Sequence, residues 1–164
     1  MCHASARERS PSPLGQIAGS ELGADLVTLA TDTIAKLSDA VQHTMETVSP
    51  EDVDSAIPPI VDVLLSSHAK HPERIAFLME HLAVRGNLPE LEEPSLALEN
   101  WLGQYFVAIN YASEEVTAIR VRIAVHGMSA VLRATIRYAP ADMRSAVFRD
   151  ELIRFLHIML TVGM

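Results

Sequence analysis

The 164-residue chain has a single cysteine, Cys2, so no internal disulfide braces it and its stability must come from burial. It also lacks any run of lysine or arginine. Thirteen basic residues stand against 21 acidic ones for a formal charge of -8, which excludes an electrostatic footprint for a phosphate backbone. No apolar stretch approaches the ~18 residues of a membrane span, and the polar segment Met1 to Gln16 has no signal-peptide core. The expectation is a cytoplasmic protein without a membrane partner. Motifs of catalysis are missing as well: no phosphate-cradling glycine loop, no H-E-x-x-H, no G-x-S-x-G, and no cysteine nucleophile beyond the N-terminal leader. No catalytic residue, metal, cofactor or enzymatic activity is expected.

What is abundant is apolar side chain, 49% of residues against 21% charged, which rules out disorder and places the chain at the apolar end for a water-exposed domain. One domain of this length buries about 70% of the surface its unfolded chain exposes. Residues 1–20, with Pro11, Pro13, Gly15 and Gly19, show neither helical nor strand periodicity and read as an irregular leader to a helical domain, 21–164.

From Glu21 to Val48, Leu22, Leu26, Leu29, Ile34, Leu37, Val41 and Met45 recur on one side, opposite Asp25, Asp32, Lys36, Asp39 and His43, which predicts an amphipathic helix. Ser49-Pro50-Glu51-Asp52 reads as the next helix start, with the Ser49 hydroxyl as cap and Pro50 in the first turn. That helix runs to Lys70, and Pro58-Pro59 should kink or restart it. A third helix opens at His71-Pro72-Glu73 and stops near Gly86-Asn87, followed by an acidic loop from Leu88 to Glu93. The fourth, from Pro94 to Tyr111, gathers Leu98, Trp101, Leu102, Tyr105, Phe106 and Ile109 on one side.

The last two helices, Glu114 to Tyr138 and Ala141 to Val162, differ from the first. In the fifth, Glu115, Arg122, His126, Ser129, Arg133 and Arg137 form one narrow polar stripe and most of the remaining circumference is apolar. In the sixth, Asp150, Arg154, His157 and Thr161 play the same part, with Asp150 and Arg154 spaced as an i,i+4 ion pair. Apolar arcs this wide need neighbours on two sides, and the other four helices cover only one. A second copy supplies the other, with Val125, Met128, Leu132, Phe148, Leu152, Phe155, Leu156 and Met159 as its expected contacts. The chain is therefore read as an all-α homodimer.

The order of helices resembles the C-terminal ligand-binding and dimerisation domain of the tetracycline-repressor (TetR) family of bacterial transcriptional regulators. The short segments that carry the resemblance are Gly19-Ser20-Glu21-Leu22 followed by Asp25-Leu26-Val27, the junction Ser67-His68-Ala69-Lys70-His71-Pro72-Glu73, and the final apolar helix pair joined through Ala139-Pro140. The resemblance implies a six-helix orthogonal and antiparallel bundle whose last two helices build a four-helix dimer contact. It further implies a repressor-type regulator that senses a small hydrophobic effector and touches DNA only through a helix-turn-helix. Twenty leading residues are too few for that unit. The expectation is accordingly a regulator whose reading frame was truncated or whose start was misassigned.

Candidate effector-binding residues are Phe77, His81, Trp101, Tyr105, Phe106 and Met128, since small-molecule sites are mostly apolar with a few placed polar groups. For Trp101 and Tyr105, pocket lining and plain core packing stay open together. Asn110, Gln104 and Met128 are weaker candidates for the same pocket. His68 and His71 share a helix face, but Pro72 interrupts it and no carboxylate or cysteine completes a metal site, so they read as solvated or capping histidines. A second reading keeps the helical dimer and drops the pocket: a protein-interaction module.

Overall fold

Helical spacing is realised as helix along the chain. The computed structural model describes residues 13–85, 89–109 and 112–161, with side chains described for 24–78, 95–109 and 112–161. Among the described residues there are six α-helices, α1 (Pro13–Val48), α2 (Val53–Lys70), α3 (Pro72–Arg85), α4 (Pro89–Ala108), α5 (Glu114–Tyr138) and α6 (Ala146–Thr161), with a 3-10 turn (Pro140–Arg144) before the last. Among the described residues there is no strand.

The boundaries depart from the sequence reading in ways that local chemistry explains. Helix α1 begins at Pro13, inside the expected leader, while residues 1–12 lie outside the described residues. Proline suits a first helical position, and once a nucleus exists each added residue gains a backbone hydrogen bond. Ser49 does not cap α2. It adopts φ 48°, a left-handed conformation that ends α1, and its N–H donates to the Met45 carbonyl at 2.8 Å. The cap is Asp52, whose Oδ1 accepts from the Ser55 N–H at 2.8 Å while the Ser55 hydroxyl accepts from the Asp52 N–H at 3.2 Å.

Pro58 and Pro59 lie within α2 without ending it. The carbonyls they leave without an i+4 donor belong to Asp54 and Ser55, both exposed residues, so the unpaired acceptors fall on the solvent side of the helix. The expected 88–93 loop is helix from Pro89 onward, because Pro89 followed by Glu90, Glu92 and Glu93 suits a first turn at the positive end of a helix.

Five helices close a ring around the core: α1 packs on α2, α2 on α6, α6 on α5, α5 on α4, and α4 again on α1, with α3 against α1, α2 and α5. The ring is filled by apolar side chains, Val41 and Met45 from α1, Ile57 and Val61 from α2, Leu102 and Phe106 from α4, Val121 and Leu132 from α5, and Leu152 and Leu156 from α6. An ion pair and a histidine–carboxylate contact join α6 to α2 in antiparallel register. Arg149 donates to both Asp62 oxygens through Nε and Nη2 (Nη2–Oδ2 2.9 Å), and two turns on His157 Nε2 lies 3.0 Å from Asp54 Oδ1. The expected Asp150–Arg154 pair does not form. Arg154 turns to Glu151 at 2.9 Å, and Asp150 sits 3.4 Å from Arg149.

Candidate self-association face

Helix α5 has two apolar arcs. Thr117, Val121, Ala124, Met128, Leu132 and Ile136 are buried, each three or four residues after the last, and form the arc that fills the ring. The second arc, Val116, Ile119, Ile123, Ala130, Ala134 and Tyr138, repeats at near-helical spacing and lies open. Ile119 and Ile123 are 53% and 52% exposed and Tyr138 is 76% exposed, which for aliphatic and aromatic side chains in one line is unusual on a free surface.

Two contacts place α6 beside this arc. Gly127 meets the Phe155 ring so closely that a Cβ there would stand 2.8 Å from Cζ, and Arg120 donates to the Leu160 carbonyl in the last turn of α6. The helices therefore run antiparallel, in a register that brings Ile123 level with Ile158 and Ala134 level with Val147. Both α6 residues are exposed, Val147 to 72%. The open arc of α5 thus continues onto α6.

A charged group borders the face. Glu99 of α4 is only 6% exposed, and its carboxylate is met from α5 by His126 Nε2 at 3.2 Å and Arg122 Nε at 3.7 Å, both from well-solvated side chains. A carboxylate taken out of water needs such partners. Sequence reasoning placed Arg122 and His126 in a polar stripe and missed Glu99, although Glu99 is one helical turn before Gly103 and lies within the arc of Leu102 and Phe106.

Of the expected effector residues, Trp101, Tyr105 and Phe106 come together on α4. Trp101 stacks on Tyr105 (centroids 5.4 Å apart, 22° between planes), and Tyr105 meets Phe106 edge-on at 6.0 Å. Burial raises the Tyr105 phenol above its ordinary pKa. Phe106 alone of the three is fully buried, and it lines an apolar cavity of ≈ 30 Å³ between α2, α4, α5 and α6. That is about the liquid volume of one water, against the ~300 Å³ where drug-sized sites begin. Phe77 is exposed on α3 and does not line this cavity, and Gln104 is also exposed. Met128 is buried in the ring. The His81 side chain and Asn110 lie outside the described residues.

The expected dimer contacts divide. Met128, Leu132, Leu152 and Leu156 are buried in the chain's own core; the helical wheel that marks them apolar does not say which arc the ring takes. Val125, Phe148, Phe155 and Met159 are partly buried against that core. The truly open residues, Val116, Ile119, Ile123, Tyr138, Val147 and Ile158, were not singled out.

Among the described residues no helix is long and apolar enough to cross a membrane, and no group of three or more His, Cys, Asp or Glu is placed to hold a metal. His68 engages the Leu64 carbonyl through Nδ1 at 2.7 Å. Its burial pushes its pKa below the ordinary histidine value. The fold and face define an all-helical chain with an uncovered apolar side. Comparison with protein-family models, curated proteins and solved structures finds no match, so the TetR resemblance rests on helix order and the short segments quoted for it.

Proposed function

We propose that the chain is a self-associating helical module, a homodimer that closes the open arcs of α5 and α6 against a second copy. The observation that carries this is the second apolar arc of α5, continued by Val147 and Ile158 on α6. Completing the burial of Ile119 and Ile123 contributes about 1 kcal/mol each, half of what full burial of such a side chain is worth. The arc runs nearly the length of α5, about 35 Å at the helical rise, which suits a long helix as its partner. A second α5 presents one of matching length and chemistry, and a two-fold axis doubles every contact.

The test is substitution in the arc. Ile123→Glu should convert a dimer to a monomer while the helical circular-dichroism signal stays intact, because Ile123 is 52% exposed in the single chain. A dimer that survives Ile119→Glu/Ile123→Glu counts against this face.

A second reading, the effector-sensing half of a TetR-like regulator, is favoured by one observation, the half-buried stack of Trp101 on Tyr105 that offers a planar apolar molecule a platform. Its test is a thermal-shift screen with planar apolar ligands. Stabilisation lost on Trp101→Ala supports it; no stabilisation by any ligand counts against it.

A further inference from the structure

Resting on the self-association reading, we infer that two copies pair with their α5 helices antiparallel about a two-fold axis near His126 and Gly127, seating Ile119 and Ile123 of each copy against Ala134 and Ala130 of the other.

The open arc is graded in size. Its N-terminal half carries Val116, Ile119 and Ile123, and its C-terminal half carries Ala130 and Ala134 before Tyr138. Reversing the helix about a point between His126 and Gly127 lays Ile123 over Ala130, Ile119 over Ala134, and Val116 beside Tyr138. Large side chains then fill the spaces that small ones leave, as close helix packing requires. A parallel pair would set isoleucine on isoleucine and leave a gap between the alanines. The spacing of three, four, seven, four and four residues along the arc keeps it almost parallel to the helix axis, which fits a shallow crossing of about 20° with contact along the whole helix.

The charges at the rim reverse onto each other as well. Glu115 is exposed in the first turn of α5 and Arg137 in the last, and the same two-fold lays one over the other. Arg137 sits 5.5 Å from the Tyr138 ring centre, at the end of the arc. In a parallel pair glutamate would oppose glutamate and arginine would oppose arginine. Each copy carries a formal charge of -8, so two copies repel at long range and association needs local pairs of this kind.

The experiment uses single cysteines in a Cys2→Ser background, Ile123→Cys in one chain and Ala130→Cys in another, under mild oxidation. In the antiparallel arrangement each residue is about 10 Å along the axis from its own symmetry mate, beyond the reach of a disulfide, whereas Ile123 of one copy faces Ala130 of the other. Co-expressed, the two variants should form a cross-linked pair on a non-reducing gel, and each alone should run as single chains. Cross-linking of either variant alone overturns the inference in favour of a parallel pair. No cross-link in any combination, in chains that sediment as dimers, overturns it in favour of another face, and chains that sediment as monomers overturn the self-association reading itself. A charge swap reads the same geometry without cysteine. Glu115→Arg and Arg137→Glu should each raise the dimer dissociation constant several-fold, and the double variant should return it to within about twofold; a double variant no tighter than either single one contradicts the pairing.

Discussion

The inner and outer arcs of α5 are both apolar, both helically spaced and only a few ångströms apart, yet they have opposite fates. The inner arc, from Thr117 to Ile136, is sealed by α4, α6 and α3, and the outer arc, from Val116 to Tyr138, is left exposed among the described residues. The difference lies in neighbours and not in composition: a ring of five helices encloses one side of each member, and a helix apolar on two sides is left with one side uncovered. Burial in a single chain therefore separates residues that hold the fold from those available to a partner.

The sharpest way to break this comparison is to truncate one residue in each arc. Leu132→Ala, in the buried arc, should cost about 2–5 kcal/mol of unfolding free energy through lost contacts and the cavity left behind, whereas Ile123→Ala should change the stability of the single chain by no more than about 0.5 kcal/mol. Urea titrations under dilute conditions measure both, and equal losses would erase the distinction between the arcs.

Glu99 marks the border between the two regions, and its partners should matter more than the carboxylate does. Arg122→Ala with His126→Ala leaves a buried carboxylate unpaired and should destabilise by about 1–2 kcal/mol, reduced from the buried-pair value because both partners are well exposed and screened. Glu99→Leu, which removes the charge instead of its partners, should be neutral or mildly stabilising. A larger loss for Glu99→Leu than for the double variant would contradict this ordering.

Gly127 sharpens how α6 is set beside the open arc. Gly127→Ala drives a methyl into the Phe155 ring, and the overpacking should outweigh the gain in helix propensity by about 1 kcal/mol. Phe155→Leu in the same chain should relieve part of that loss. A stabilised Gly127→Ala variant would show that the Phe155 ring yields freely.

The smallest effect lies in the ring and far from the face. Burial holds the pKa of His68 below its ordinary value of 6.5, so the unfolded chain binds a proton there more readily than the folded one does. The resulting stability is present in full above pH 6.5 and is lost as the pH falls through 6.5 toward the lowered folded value. Urea midpoints at pH 7.5 and 5.5 should therefore differ less for His68→Gln than for the unaltered chain.

Much of the fold was legible in side-chain spacing. The long apolar faces predicted six helices, and the range expected for the fifth, Glu114 to Tyr138, is that of α5. Boundaries that depend on backbone conformation were not legible. Ser49 and Asp52 both have side chains suited to a cap, and only the left-handed turn at Ser49 decides between them. The doubly apolar character of α5 was visible on a helical wheel, but a wheel has no origin. It could not tell that Met128 and Leu132 turn inward while Ile119 and Ile123 turn out, since that depends on where α4 and α6 lie. Glu99 did leave a signal, a lone carboxylate within an apolar arc, whose partners on α5 only the packing reveals.

Sedimentation equilibrium of the unaltered chain tests the central claim most directly, because it reads mass without any substitution. A self-associating chain should give a species of twice the 17.9 kDa chain mass at micromolar concentration, dissociating on dilution as one reversible step. A single 17.9 kDa species at every concentration, with the outer arc of α5 open to water throughout, would contradict it.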